Sequence, residues 1–465
     1  MNRIMLSWLI VLALTVRAQD TTRIFTIDEF YRQISLNHPV VRQAGLLDEQ
    51  ARQEIRMARG NFDPKLEAHA GTKKFQDKSY YQTFEGQLSL PTRSPVIGKF
   101  GYERTTGDLL DPSEKIPGGR QAMAGVVLPL GRGLLTDDRR TILKQAELMT
   151  DMLAADQTRI INKFLLEAAI AYWMWNYHYQ SMEISRRALA LADDIQRRVN
   201  INFIQGESSV LDTIQASINR QTRWLEATEA ELEFRNAGLE LSNYLWNEQL
   251  EPLTLSPDMR PLWSEPDGGY DLPRLLDQAR TNHPDLIRLR TRLAQLQYER
   301  RLAVEYLKPR LDLNYSLLSQ PGAPRAIDFR NDYKIAMDFS FPLFLRKERA
   351  KVKLTDLRIT HNELEASRQE RDILLSLEQS FNEIVTTKAL QARQRTVIGQ
   401  YERLVQGELL NLQQGESDLF RINQQQDKLL QASIKGAKLD AEIQKLFAYL
   451  WWSAGSSPLT RFSAP

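Results

Sequence analysis

At 465 residues, 42% hydrophobic and 9% aromatic, the chain has the length and apolar content for two or three packed domains or one large repeated one, which argues against disorder. Lys+Arg 61 against Asp+Glu 59 gives a formal charge of +2, too balanced for a nucleic-acid partner to be expected. The absence of cysteine excludes thiol catalysis, disulfides and cysteine metal sites.

At the N-terminus, Arg3 precedes the apolar run Ile4–Val16, and Val16-Arg17-Ala18 supplies a small-residue cleavage site before Gln19. Residues 1–18 therefore read as a secretory signal peptide, the apolar run being shorter than the ~20 residues of a spanning helix. Its removal takes Arg3 and Arg17 with it, lowering the basic count from 61 to 59, equal to the acidic count. Gln19 gives no lipoprotein anchor. No later stretch approaches ~20 uninterrupted apolar residues, so entry into a membrane would require a closed β-barrel.

Thr26-Ile27-Asp28-Glu29 predicts a capping box, with the Thr26 hydroxyl on the third helical N–H and Glu29 reaching back. The helix breaks at Asn37-His38, because the residue before a proline avoids the helical region. Pro39 opens a second helix running to about Arg59, with Gly60 as its stop. This opening occurs twice. Asn37-His38-Pro39 recurs as Asn282-His283-Pro284 at an offset of 245, and the same offset aligns Gln50 with Gln295, Glu54 with Glu299, Arg56 with Arg301, Ala58 with Ala303, Pro64 with Pro309 and Leu66 with Leu311. The chain is a tandem duplication, and Asp271 is the expected cap of the second opening.

After Pro309 the apolar period changes to two. Leu311, Leu313, Tyr315 and Leu317 alternate with Asp312, Asn314 and Ser316; beyond a turn from Gln320 to Pro324, Tyr333, Ile335, Met337, Phe339 and Phe341 alternate with Lys334, Ala336, Asp338 and Ser340. Two strands of about ten residues with one apolar face suit either a membrane barrel or a soluble hairpin. The first half has counterparts at Leu66 to Thr72 and Ala122 to Pro129, but Pro64 to Pro129 is 65 residues and Pro309 to Pro342 is 33. The excess of 32 includes Phe84/Leu88/Leu90 and Phe100/Tyr102, both alternating, and fits an added hairpin or a structured external loop.

Long helices follow each strand set. Ile160, Phe164, Ala168, Tyr172, Trp175, Tyr179 and Met182 in the first, and Leu374, Leu377, Phe381 and Ile384 in the second, form narrow apolar stripes on charged helices, as in coiled coils. The aromatic stripe reads as packing, with no cofactor. Each helix stops at a near-identical tip: Gln205-Gly206-Glu207-Ser208 recurs as Gln414-Gly415-Glu416-Ser417. The glycine supplies the left-handed stop and the following serine caps the return helix. From Pro129 to Gly206 is 77 residues and from Pro342 to Gly415 is 73, lengths at which helices reach roughly 100 Å. The return helices end at Tyr244-Leu245-Trp246 and Tyr449-Leu450-Trp451. The sequence thus divides into the signal peptide (1–18), a first repeat (19–250; strands about 65–130, tip near 206), a linker or equatorial segment (251–270), a second repeat (271–455; strands about 309–342, tip near 415) and a C-terminal tail (456–465).

These features together resemble the TolC outer-membrane efflux family over nearly all of the mature sequence. The resemblance rests on the duplication, the Asn-His-Pro openings, the strand starts after Pro64 and Pro309, Phe341-Pro342-Leu343-Phe344 before a charged helix, and Gly-x-Ser tips followed by Leu211 and Leu419. It implies an α+β membrane protein: a duplicated helix–hairpin–long-helix repeat forming a homotrimer. Each subunit would give four strands to one twelve-stranded β-barrel, and its helices to a periplasmic coiled-coil tunnel, in the outer membrane of a Gram-negative bacterium. The implied function is that of a passive conduit in a tripartite efflux or type I secretion system, exporting small molecules or polypeptides. Its implied partners are a periplasmic adaptor (membrane fusion protein), an inner-membrane transporter of RND, ABC or MFS type, and outer-membrane lipid.

The resemblance carries residues over only at the tips. Gly206, Glu207, Ser208, Gly415, Glu416 and Ser417 match the adaptor-contacting turns. Asp212 matches an acid that helps hold the tunnel mouth closed, although its basic partner falls on Ser417. The ring-forming aspartates of the mouth fall on Arg421 and Gln424, so a cation-attracting constriction is not expected and the mouth reads as neutral or basic.

Other residue clusters call for no chemistry. His38, His69, His178, His283 and His361 form no close ligand pair, and His38 and His283 read as turn residues. Gly131-Arg132-Gly133 is too short for a phosphate loop, and Asp137-Asp138 and Asp193-Asp194 read as caps or solvated faces. No catalytic constellation is found, so no enzyme, metal or cofactor is assigned. Two rivals stay open: a secreted soluble coiled-coil scaffold, and a barrel with catalytic or receptor chemistry between Phe75 and Gln121.

Overall fold

The structure, a computed structural model, describes residues 23–107, 110, 115–263, 271–321, 328, 330–414 and 416–456. The expected signal peptide, Gly415 and the tail beyond Ser456 lie outside the described residues. In chain order the elements are β1 (Arg23–Phe25), α1 (Ile27–Asn37), α2 (Pro39–Arg59), β2 (Lys65–Phe75), β3 (Lys78–Pro91), β4 (Ile97–Thr106), β5 (Arg120–Pro129), α3 (Asp138–Ile204), α4 (Val210–Ser242), β6 (Met259–Pro261), α5 (Leu272–Asn282), α6 (Pro284–Glu305), β7 (Arg310–Ser319), β8 (Tyr333–Ser340), α7 (Arg346–Gln413) and α8 (Leu419–Ser453). No helix among the described residues is long and apolar enough to cross a membrane. The described residues form two compact units, one within 23–41, 165–263 and 382–449, the other within 42–164, 271–381 and 450–456.

The first unit is helical. Thr26 caps α1 by accepting from Glu29 N–H at 3.1 Å, but the Glu29 carboxylate accepts from Arg23 at 2.9 Å, an exposed pair, so the box is half made. β1 and β6 pair in parallel. Over them lies an aromatic core: Phe30 stacks on Tyr172 with centroids 5.8 Å apart, Tyr172 meets Trp175 at 5.8 Å, and Trp175 stacks on Phe234 at 6.0 Å. The Tyr172 hydroxyl, buried with its ring, donates to Phe25 C=O at 2.7 Å, which satisfies the phenol oxygen. Such rings bury 150–250 Å² each, so this cluster dominates the packing of the unit. The stripe of Ala168, Tyr172, Trp175 and Met182 is core, at 1% exposure or less.

The second unit carries one antiparallel six-stranded sheet in the order β2-β3-β4-β5-β7-β8. Six strands stand where the family resemblance implied four. The 32 extra residues are an added hairpin, with β3 hydrogen-bonded along β2 and β4 along β5. The register keeps one face apolar across every strand. Leu66 is opposite Leu88, Leu88 opposite Phe100, Phe100 opposite Ala124, Ala124 opposite Leu317 and Leu317 opposite Tyr333. Much of this face is solvent-exposed in the single chain, from 37% at Tyr102 to 79% at Leu66, while the β7 side chains on it are half-buried. The other face carries Glu67, Glu85, Gln87, Lys99, Glu103, Asp312, Asn314 and Asp338. At its helical end lies a polar basin of about 650 Å³, lined among others by Glu67, Lys99, Asp312 and Asp338.

Beneath the sheet, Glu305 is buried and its Oε1 accepts from the N–H of Gly133 at 3.1 Å, while Lys308 reaches Oε2 at 2.7 Å. The Gln295 amide donates to Gln145 C=O and the Gln145 amide to Gln295 C=O, at 3.2 and 3.4 Å. Asp137 caps α3, accepting from Arg140 N–H at 2.8 Å. Asp271 occupies the cap position of α5 but makes no side-chain bond there, so that part of the expected capping is not realised.

Candidate functional site

The two tips lie within the first unit and are built alike. α3 ends in a paired bond pattern: Gly206 N–H donates to Phe203 C=O at 3.0 Å and Glu207 N–H to Asn202 C=O at 2.8 Å. Gly206 has φ +81°, the left-handed conformation that this closure requires. At the second tip Glu416 N–H donates to Asn411 C=O at 2.8 Å, the equivalent long bond; Gly415 itself lies outside the described residues.

The return helices are capped one residue later than the sequence suggests. Ser209, not Ser208, caps α4. Its hydroxyl accepts from Asp212 N–H at 3.1 Å while its own N–H donates to Asp212 Oδ2 at 2.9 Å. At the second tip Asp418, not Ser417, accepts from Arg421 N–H at 2.8 Å, and the Ser417 hydroxyl donates to Glu408 at 2.5 Å. Gly-x-x-cap is thus the spacing in both, which leaves Glu207/Ser208 and Glu416/Ser417 as the polar crest of each turn.

A cleft of about 320 Å³ brings Glu207, Ser208, Asp212, Ser417 and Asp418 together. It sits above an apolar floor of Ile195, Val199, Ala216, Leu419 and Ile422, the last fully buried. Of the residues carried over for the gate, Asp212 is half-buried in the cleft with its carboxylate engaged in the cap, and Arg421 and Gln424 are exposed on α8. Of the predicted residues the cleft therefore collects Glu207, Ser208, Asp212 and Ser417, and Gly206, Glu416, Arg421 and Gln424 do not line it.

Farther from the tips a polar ladder joins α4 to α8. Asn219 donates to Asn423 at 2.8 Å, and the Arg223 guanidinium pairs with Asp427 and, at 2.7 Å, with Glu226. Arg223 is buried at 3% side-chain exposure, while Asp427 is more than half exposed. Sequence reasoning misses this ladder, because its members stand 204 residues apart and do not coincide with the repeat. No group of His, Asp or Glu suited to a metal ion occurs among the described residues.

No protein-family model and no curated protein matches the chain. Solved structures do match. The outer-membrane channel OprN superposes with a TM-score of 0.67 at 14% identity, over 93% of this chain and 90% of its own. The outer membrane protein VceC from Vibrio cholerae gives 0.65 at 13% identity, over 93% of this chain and 96% of its own. The open state of the Neisseria gonorrhoeae MtrE outer membrane channel gives 0.65 at 14% identity, over 92% of this chain and 89% of its own.

Proposed function

We propose that this chain, which has the fold of these outer-membrane channels, is itself an outer-membrane channel subunit and the passive exit duct of an export system. The observation that carries the reading is the sheet: a continuous, exposed apolar face backed by a polar one, on a fold matched over nearly its whole length. Such a face suits lipid, and its polar partner suits a water-filled lumen.

In this reading three copies close one barrel in the outer membrane, and the helical unit lies in the periplasm. The polar crests at Glu207/Ser208 and Glu416/Ser417, with Gly206 and Gly415 shaping the turns, meet a periplasmic adaptor. An inner-membrane transporter supplies the driving force, in a tripartite efflux or type I secretion assembly, for small molecules or polypeptides. Asp212, Arg421 and Gln424 line the mouth. The duct needs no catalysis and no cofactor.

Envelope fractionation with mass determination tests the reading. A complex of three chains that requires detergent is expected. A monomer released by osmotic shock overturns the reading and leaves a soluble coiled-coil scaffold.

A further inference from the structure

We infer that the added hairpin β3–β4 is barrel wall, so that one chain contributes six strands and the closed barrel has eighteen. This rests on the three-copy membrane reading above and departs from the twelve strands that the family resemblance implies.

The hairpin lies between β2 and β5 and is hydrogen-bonded on both sides, over ten residue pairs with each other and eight with β5. Removing it from the wall would leave β2 and β5 without their only described neighbours on those sides. A loop folded over the mouth has no need of the wall's phase, yet this hairpin keeps it. Phe84, Leu88, Phe100 and Tyr102 continue the apolar face, while Glu85, Gln87, Lys99 and Glu103 continue the polar one. Its outer face also repeats a detail of the β7–β8 hairpin: Phe84 and Tyr102 are 6.5 Å apart between ring centroids, as Tyr315 and Tyr333 are 6.3 Å apart. On the inner face Glu85 stands directly opposite Glu103, a like-charge pair that is costly in any dry setting and tolerable only beside water. The hairpin can therefore turn only one face to lipid, the face the rest of the sheet turns.

The strand count follows from the edges. Among the described residues β2 and β8 are the two open edges, and an unpaired edge has no place in hydrocarbon. Successive strands alternate in direction, so with six of them β8 runs opposite to β2 and can pair with the β2 of the next copy without breaking the antiparallel order. Keeping the apolar faces in phase then sets odd-numbered β2 residues such as Glu67 and His69 against even-numbered β8 residues such as Lys334 and Asp338. Barrel diameter grows roughly linearly with strand number, so this pore would be about one and a half times as wide as a twelve-stranded one.

The chain has no cysteine, so single labels are unambiguous. Full-length protein in liposomes would carry nitroxides at Phe84→Cys and Phe100→Cys, at Glu85→Cys and Glu103→Cys, and at Ile335→Cys as a control on the β7–β8 hairpin. Positions 84, 100 and 335 are expected to collide with lipid-soluble oxygen, and 85 and 103 with a water-soluble nickel chelate. Water-exposed labels at 84 and 100 beside a lipid-exposed 335 would place the hairpin outside the wall and overturn this inference alone. Water exposure at 335 as well would overturn the membrane reading itself. In a second measurement, bifunctional crosslinking of a His69→Cys/Ala336→Cys double variant should give a covalent ladder ending at three copies. A ladder ending at two would mean a twelve-stranded ring and defeat the count.

Discussion

His38 and His283 hold equivalent places in the two halves, and the structure gives them a definite task. Each imidazole Nδ1 accepts a backbone N–H of the helix that follows: Val40 to His38 at 3.1 Å, and Asp285 to His283 at 3.2 Å. Proline takes the first helical position in both, so the second N–H is the first that needs a partner, and the histidine supplies it. The bond requires an unprotonated Nδ1. Burial lowers the pKa of both groups, offset in part by a main-chain hydrogen bond at Asn243 for His38 and by the Asp285 charge for His283. As pH falls below about 6.5 the unfolded chain takes up these protons before the folded one, so the stability from these caps is present above that value and lost below it. Thermal denaturation of His283→Ala should show a loss of about 1 kcal/mol at neutral pH, while His283→Asn, itself a good cap, keeps most of it and flattens the acid limb. An unchanged acid limb in the asparagine variant would refute this account of the cap.

Among the elements, the helix–turn–helix tips test the role of a single backbone conformation. A Cβ at Gly206 would meet nothing within 4 Å, so the site has room; only φ +81° resists a side chain. Gly206→Val should therefore cost about 1–2 kcal/mol in the turn and reduce crosslinking to a periplasmic adaptor, with the complex still detergent-dependent. Gly206→Asn, which tolerates the left-handed region, should crosslink normally. Equal crosslinking in both variants would dissociate docking from the shape of this turn.

Much of this level is legible in the sequence, since the prolines bracket the helices and the β7–β8 alternation stands out. The rest is not, for identifiable reasons. β2 offers Ala68, Ala70 and Gly71 where a clear period would need larger side chains, so the status of the added hairpin stays open until its pairing is seen. Ser208 and Ser209 are both competent caps, and only the three-residue closure around Gly206 selects the second. Glu29 could reach back to its cap, but Arg23, six residues earlier, offers a charge. The Arg223–Asp427 pair depends on how α4 and α8 align, which no local pattern encodes.

At the scale of the assembled molecule, the proposed placement of Arg421 and Gln424 at the mouth predicts its response to ions. Arg421 and Gln424 stand where the resemblance places ring-forming aspartates, and three copies would present three guanidiniums and no acid ring. In planar bilayers the purified channel should conduct in the presence of multivalent cations that bind acidic constrictions. Arg421→Asp/Gln424→Asp should introduce a block by those cations. Block of the unaltered channel would contradict the placement of these residues at the mouth.

The two open edges of the sheet also bear on how such a channel can be made. Among the described residues, no strand pairs with the outer edges of β2 and β8, strands of 11 and 8 residues, in a lone chain. Each unpaired main-chain group costs several kcal/mol in hydrocarbon, so a single subunit cannot be a stepping stone in the bilayer. In the proposed channel, copies would have to meet before or while they insert, and the ring would form as one event or not at all. Yield should then rise more steeply than in proportion to subunit concentration. Chains crippled at one edge would poison sound ones, because one faulty seam leaves the whole ring open.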